Sequence, residues 1–169
     1  MHLYLVRHAI AENRDGTRWP DDSARPLSEE GAERFTLAAR GLERLVPTVD
    51  LVLSSPYARA WQTAVILHEV AKWPAPEQCP PLAAARPAGA PLDPLAELTA
   101  GSVALVGHEP NLSSLASLLL TGDAGTVRLE LKKGGVIALG FHGAPAPGQA
   151  ILRWSASPKI LRGLAAGPA

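Results

Sequence analysis

Short apolar runs that end abruptly in polar residues recur along this chain, and each run predicts a buried strand. The first run, residues 3–6, stops at Arg7 and His8. The second, residues 50–53, ends in two serines before Pro56, and the third, residues 102–106, ends at a glycine followed by His108. Runs of this length without polar alternation are typical of strands covered on both faces, as in a parallel sheet.

Apolar residues at helical spacing follow these runs and predict three helices. The first helix begins at the N-cap Ser28 and is closed by Pro47. For the second helix we predict Ser55 as N-cap, because its hydroxyl can accept from free amides while the next residue, a proline, has no amide to satisfy. The third helix stops at Gly122. This alternation predicts a three-layer α/β/α fold with a mainly parallel central sheet.

The chain after residue 126 predicts strands that no helix separates. Three apolar runs, 127–131, 136–141 and 150–154, are joined by a Lys-Lys-Gly-Gly turn and a proline-containing loop. Connections this tight join antiparallel strands, so we expect some antiparallel pairing near the C-terminus. We expect Lys132 and Lys133 to serve turn solubility, and residues 164–169 to form a frayed end.

The segment from residue 72 to residue 98 is rich in proline and is the least regular part of the chain. We interpret it as a long connection, with an ordered cover over a site as the alternative. One helix fits residues 92–98.

Composition and charge narrow the function classes. The 169 residues carry 16 basic and 16 acidic side chains, so no global field attracts nucleic acid or an anionic membrane. The length and the 47% apolar content suit a single domain over residues 1–169. A lone cysteine, Cys79, and the lack of a long apolar stretch indicate a reducing, cytoplasmic setting. Because the net charge is zero, any site that binds an anion must arise from a local cluster of positive groups.

The polar residues that follow the three strands point to such a site. Parallel strands end at one edge of a sheet, so Arg7 and His8 should meet His108 and the helix that begins near Ser55, with Arg59 in its first turn. Helix N-termini and forked guanidinium groups both favour phosphate oxygens. One neutral histidine can attack phosphorus, and a second, protonated histidine can stabilise the transferring group. We therefore predict phosphoryl chemistry.

The runs that carry this pattern resemble the histidine phosphatase superfamily of the phosphoglycerate mutase-like fold. The matching runs are Val6-Arg7-His8-Ala9, the stretch from Ser54 to Ala64, and Val106-Gly107-His108-Glu109-Pro110. The short chain, Arg25-Pro26-Leu27-Ser28 and Ser157-Pro158-Lys159 look most similar to the SixA branch, the phosphohistidine phosphatases of signalling phosphorelays.

The resemblance implies that His8 is the nucleophile that becomes phosphorylated, and that Arg7, Arg59 and His108 complete the catalytic, substrate-binding pocket. It implies no cofactor and no metal. The superfamily's usual glycine after the first histidine is Ala9 here, a small change.

A general acid cannot be carried over in the same way. Larger members supply one from the segment between the second and third motifs, where this chain has no carboxylate at a matching spacing. The candidate proton donors are Glu12 and Glu109, which lie beside the motifs. The structural reading, which we favour for both, is loop solvation for Glu12 and a carboxylate near a helix start for Glu109.

Without a strong acid, a site would still cleave phosphohistidine, whose imidazole leaves readily, so we expect a histidine-phosphorylated protein as substrate. The alternatives are a small-molecule phosphatase acting on sugar phosphates or other phosphomonoesters, and a non-catalytic phosphate-binding module. The second would predict a damaged nucleophile or arginine pair, and all four pocket residues are intact. A metal site is disfavoured because no two histidines lie one helical turn apart. A mutase is disfavoured by the short chain.

Overall fold

The computed structural model, which describes residues 1–167, has a central sheet of six strands. They are β1 (His2–Arg7), β2 (Leu51–Ser54), β3 (Glu77–Gln78), β4 (Ser102–Gly107), β5 (Val136–Gly140) and β6 (Ile151–Ala156). Their order across the sheet is β3-β2-β4-β1-β5-β6. The first four strands are parallel to one another, whereas β5 is antiparallel to both β1 and β6. The predicted mixture of pairings is confirmed.

Helices cover both faces of this sheet. They are α1 (Glu29–Leu45), α2 (Ala58–Ala71), α3 (Leu92–Ala96), α4 (Asn111–Thr121) and α5 (Pro158–Ala165). Side chains alternate along each strand, so Val6 packs in the core with α1, α2 and α5, while its neighbour Leu5 packs in the core with α4. The three-layer prediction is therefore confirmed. None of the helices in the described residues is long and apolar enough to span a bilayer.

The first helix begins where the sequence predicts. The Ser28 hydroxyl accepts from the Gly31 amide at 3.1 Å and so caps α1. Further along α1, Gly41 faces α5 so closely that a Cβ at this position would overlap the carbonyl oxygen of Leu161. A glycine at position 41 thus sets the distance between these two helices.

The predicted N-cap of the second helix is wrong. Helix α2 begins at Ala58 and its N-cap residue is Tyr57, which has an extended backbone and no side-chain cap. The Ser55 hydroxyl accepts instead from the Tyr57 amide at 3.3 Å and pairs with His108 Nε2 at 2.8 Å. The chain bends at residues 56 and 57 before α2 begins, because Ser55 is hydrogen-bonded to His108 at the end of the neighbouring strand β4.

The strand predicted over 127–131 is also wrong. These residues form no ladder, and β1, the strand that they approach, is already paired on both sides, by β4 and β5. The Val127 amide bonds to the Ser117 hydroxyl of α4 at 3.0 Å. The Leu131 carbonyl accepts from Arg7 Nη1 at 2.8 Å. An apolar run of strand length therefore crosses the end of the sheet and supports the pocket.

The sequence pattern does not predict helix α5, and the frayed end predicted over 164–169 is wrong as far as residue 167. The Ser157 hydroxyl caps this helix, Leu161 is buried, and Arg44 Nη1 donates to the carbonyl oxygens of Leu164 (2.9 Å) and Gly167 (3.2 Å). Residues 168 and 169 lie outside the described residues. Amphipathic packing on α1 orders this segment in spite of its terminal position.

The proline-rich segment contains more structure than its sequence indicates. Glu77 and Gln78 form the short edge strand β3, which pairs with β2. The predicted helix over 92–98 is present but shorter, as α3. Leu82 and Leu95 anchor the segment in the core beneath α4.

Candidate active site

The end of β1 carries His8, which is 7% exposed. Its Nδ1 lies 2.7 Å from the carbonyl oxygen of Ala9. Because a carbonyl oxygen only accepts, this bond places the ring hydrogen of the neutral imidazole on Nδ1. The Nε2 atom therefore keeps its lone pair, as a nucleophile requires.

Hydrogen bonds from three directions hold the backbone around His8. The His8 amide donates to the Gly107 carbonyl at 2.9 Å, and the Gly134 amide donates to the His8 carbonyl at 3.1 Å. The next amide, of Ala9, donates to Thr63 Oγ1 at 3.0 Å. The imidazole is thus carried by backbone that joins β1, β4 and α2.

The second histidine follows β4 and is 2% exposed. The ring centroids of His108 and His8 are 5.1 Å apart. His108 Nε2 lies 2.8 Å from Ser55 Oγ. The hydroxyl also accepts from the Tyr57 amide. When its own hydrogen is donated to Nε2, the ring proton of the neutral imidazole lies on Nδ1.

Arg59, near the start of α2, is 3% exposed, and its guanidinium is held by Asp22. Arg59 Nη1 donates to the Asp22 carbonyl at 2.8 Å, and Nη2 donates to its carboxylate at 3.0 Å. The same carboxylate accepts from Arg25 Nε at 2.8 Å, and this bond lowers the pKa of Asp22 most. One carboxylate thus orients two arginines.

Sequence reasoning missed the roles of Asp22 and Ser55 in the site. Arg25 belonged to the Arg-Pro-Leu-Ser run that supported the resemblance, so a signal for it existed. Asp22 lies in a polar loop with no pattern of its own. Its partner becomes visible only when the loop folds over the end of β1.

Three of the four predicted pocket residues each have one buried side-chain nitrogen without a hydrogen-bond partner. These atoms are Arg7 Nε, Arg59 Nε and His108 Nδ1, and the described residues contain one other such nitrogen, Trp19 Nε1. Buried polar groups without a partner are rare, and their concentration in one place calls for a ligand that can accept hydrogen bonds. A phosphoryl group supplies such oxygens.

A cavity of about 350 Å³ brings these groups together. The structure places all four predicted residues and both candidate proton donors in its lining, where five Lys or Arg side chains face three carboxylates. The lining residues are Arg7, His8, Ala11, Glu12, Asn13, Arg14, Asp22, Arg25, Arg59, Ala84, His108, Glu109 and Lys133. Lys133 was predicted to serve turn solubility, but it lies at this cavity because the turn packs against the end of β1. We name this space the phosphoryl cavity.

Burial lowers the pKa of both histidines from the ordinary 6.5 to about 3. For His8 the loss of solvation is the main cause, and the bond to Ala9 opposes it. For His108 the loss of solvation is reinforced by the positive charge of Arg59. Both rings are therefore neutral near pH 7 in the free protein. A bound phosphoryl dianion favours the protonated ring, so the expected difference between the two histidines depends on the ligand.

The two candidate proton donors are held differently. Glu109 accepts from the Ser113 amide at 3.0 Å and from the Ser113 hydroxyl at 2.6 Å, and so it caps the first turn of α4. Glu12 has a single long contact, 3.6 Å between Oε2 and Arg18 Nη1. Of the two carboxyl groups, Glu12 is the freer to move a proton.

Comparison with known proteins agrees with this geometry. Residues 3–83 match the family model of the histidine phosphatase superfamily (branch 1). An uncharacterized protein of Picosynechococcus sp. is 37% identical over 142 residues, which are 82% of this chain and 84% of the relative. The structure of the protein histidine phosphatase SixA complexed with tungstate superposes with a TM-score of 0.80 at 25% identity, over 95% of this chain and 99% of SixA.

A mycobacterial glucosyl-3-phosphoglycerate phosphatase has the same fold at 20% identity, with a TM-score of 0.66 over 92% of this chain and 99% of that one. The family match covers the first two motifs, and the third completes the same pocket at the end of β4. By sequence and by fold, the chain belongs to the histidine phosphatase superfamily.

Proposed function

We propose that this protein is a phosphatase that hydrolyses protein phosphohistidine through a phosphorylated His8. The observation that carries the proposal is the 2.7 Å bond between His8 Nδ1 and the Ala9 carbonyl, which leaves Nε2 free to attack. The three unpaired nitrogens around the phosphoryl cavity supply donors for the transferring group. The structural similarity to SixA supports the choice of substrate.

The reaction has two displacement steps. In the first, the Nε2 lone pair of His8 forms a bond to phosphorus while the bond from phosphorus to the substrate imidazole breaks. The substrate ring, protonated on its other nitrogen, takes the electron pair of that bond and leaves as a neutral imidazole. Arg7, Arg59 and His108 stabilise the negative charge on the three phosphoryl oxygens. In the second step, water attacks phosphorus while the bond from phosphorus to His8 Nε2 breaks. His8 takes the electron pair and leaves as a neutral imidazole, because its Nδ1 has kept its hydrogen, and the oxygen and both hydrogens of the water go to inorganic phosphate.

The nature of the leaving group favours a substrate with a P–N bond over a phosphomonoester. A positioned acid contributes about a hundredfold to ten-thousandfold where an alkoxide must leave, but an imidazole needs less help. Both oxygens of Glu109 are already engaged by Ser113. A site in which the carboxyl group nearest the third motif serves as a helix cap suits a substrate with a good leaving group.

Replacing His8 with alanine tests the proposal. We expect this variant to lose hydrolysis of a histidine-phosphorylated transfer protein and to lose acid-labile labelling of the enzyme. The exposed His142, changed to alanine, serves as the matched control and should keep both. Retained turnover in the His8→Ala variant would disprove the phosphohistidine mechanism, and loss of activity with a chelator would point to a metal site instead.

The position of Glu12 at the phosphoryl cavity supports a second candidate, the hydrolysis of small phosphomonoesters. If Glu12 protonates an alkoxide, Glu12→Gln should lower kcat for sugar phosphates by about a hundredfold and leave P–N substrates nearly unchanged. Glu109→Gln should affect both substrate classes alike, through the start of α4. Preference of the wild-type enzyme for sugar phosphates over phosphoramidates would favour this candidate.

A further inference from the structure

A second cavity, of about 320 Å³, adjoins the phosphoryl cavity. It lies between α1, α5 and the turn after Leu131, and Lys133 lines both cavities. Ala9, which follows His8 directly, also lines the second cavity. We call it the basic groove and define it by its five cationic residues, Arg34, Lys132, Lys133, Lys159 and Arg162. A molecule bound in this groove therefore lies next to Ala9, the residue that follows His8.

The charge of the basic groove is concentrated and largely unbalanced. No aspartate or glutamate lines it. Arg34 pairs with Glu30 at 2.8 Å and Lys132 pairs with Glu130 at 3.7 Å, whereas the other three cations have no carboxylate within 4.0 Å in residues 1–167. The whole chain carries equal numbers of basic and acidic side chains, so this groove is a local excess. Such an excess attracts an anionic partner.

The exposure of these cations indicates what kind of anion fits. In the phosphoryl cavity the side chains of Arg25 and Arg59 are 9% and 4% exposed and are fixed by Asp22. In the basic groove the side chains of Arg34 and Lys132 are 48% and 60% exposed. Buried, fixed guanidinium groups suit one small phosphate, whereas long exposed cations adapt to carboxylates spread over a protein surface.

From this arrangement, and resting on the proposed function, we propose that the basic groove docks an acidic segment of the protein substrate beside its phosphohistidine. Docking there places the phosphorylated side chain at the neighbouring phosphoryl cavity. Lys133 lines both cavities, and Ala9, which lines the basic groove, directly follows His8. The groove then adds affinity and selectivity without contributing to the chemical step.

Binding without chemistry gives the direct test. Two fluorescent peptides of equal length carry an unphosphorylated histidine, one flanked by four glutamates and the other by four serines. We expect the acidic peptide to bind the wild-type protein about tenfold more tightly at low ionic strength, and this preference to vanish at about 0.5 M salt. The triple variant Arg34→Glu, Lys159→Glu and Arg162→Glu should lose the preference.

Two controls keep the result interpretable. A second triple variant, Arg40→Glu, Arg128→Glu and Arg153→Glu, makes the same charge change at exposed positions outside both cavities and should keep the preference. The neutral version, Arg34→Gln, Lys159→Gln and Arg162→Gln, should lose it as well, in case the reversed charges disturb folding. Equal affinity for the two peptides in the wild-type protein, or equal losses in both reversed variants, would overturn the proposal.

Turnover separates the basic groove from the proposed function. With the same peptides phosphorylated on histidine, the groove variant should lose about tenfold in kcat/KM on the acidic peptide only. It should hydrolyse a small phosphoramidate at the wild-type rate. Failure of the wild-type enzyme to cleave any of these substrates would refute the phosphohistidine function, while the binding comparison would still decide whether the groove takes an acidic segment.

Discussion

The carboxylate of Asp22 lies 3.0 Å from Nη2 of Arg59 and 2.8 Å from Nε of Arg25. Its backbone carbonyl also accepts from Arg59 Nη1. A loop residue therefore orients a buried arginine on α2 that lines the phosphoryl cavity. The ion pair between Asp22 and Arg59 joins the loop to α2. We therefore expect activity to depend on the Asp22 carboxylate.

Replacing Asp22 with alanine should lower kcat/KM for a phosphorylated substrate by about tenfold, because Arg59 loses a charge-assisted hydrogen bond that orients it. Asp21→Ala is the matched control, because it removes the same charge from a residue that caps the short helix over 22–24 and has no hydrogen bond or ion pair with Arg59 among the described residues. Steady-state kinetics on both variants decides the matter. Equal losses would mean that Asp22 acts only through its charge.

The hydroxyl of Ser55 positions His108. We expect Ser55→Ala to lower kcat by about tenfold, since a buried imidazole loses the bond that sets its tautomer and orientation. Ser54→Ala removes an equally buried hydroxyl that bonds to the Ser55 carbonyl at 3.0 Å. Both variants should lose about 1 kcal/mol in the free energy of unfolding, measured in urea. Only Ser55→Ala should lose activity; an unchanged kcat there would exclude the positioning role.

The depressed pKa values of His8 and His108 make stability depend on pH. Both pKa values are about 3 in the folded protein, against 6.5 for an ordinary histidine, so the unfolded chain binds more protons below pH 6.5. The stability they contribute is complete above pH 6.5 and is lost as the pH falls toward 3. Each histidine should then lower the free energy of unfolding by about 1 to 2 kcal/mol when the pH falls from about 7 to about 5.

Urea unfolding of the double variant His8→Gln and His108→Gln at these two pH values measures that contribution. The double variant should lose less stability on acidification than the wild-type protein, while the exposed control His142→Gln should follow the wild type. A double variant that loses as much as the wild type would show that other groups carry the acid sensitivity.

Glycine at position 41 lets α1 and α5 approach closely. We expect Gly41→Ala to lower the free energy of unfolding by about 1 to 3 kcal/mol, because the new methyl group overlaps the Leu161 carbonyl and forces the helices apart. Gly163→Ala, on the open side of α5, meets nothing within 4 Å and should raise stability by up to about 1 kcal/mol through helix propensity. Opposite signs in thermal or urea unfolding are expected; destabilisation of equal size at both positions would contradict this account of the helix contact.

Local pattern determined the strands that end at Arg7, at Ser54 and at Gly107, and with them the helices that begin after Ser28 and Pro110. Parallel strands ending at one edge bring His8, Arg59 and His108 together by topology alone, and the structure places all of them at one cavity. These features are predictable because apolar periodicity and capping act within a few residues of one another.

Tertiary structure decided what depends on distant partners. The run at 127–131 has strand composition, but β1 is already paired on both sides and the run forms no strand. Ser55 precedes a proline, as a helix N-cap often does, yet its hydroxyl pairs with His108, the residue that follows β4. Asp22, Lys133 and helix α5 take their places from contacts between residues far apart in sequence. Those partners, and the charges they bring together, are set by the packing of the whole chain.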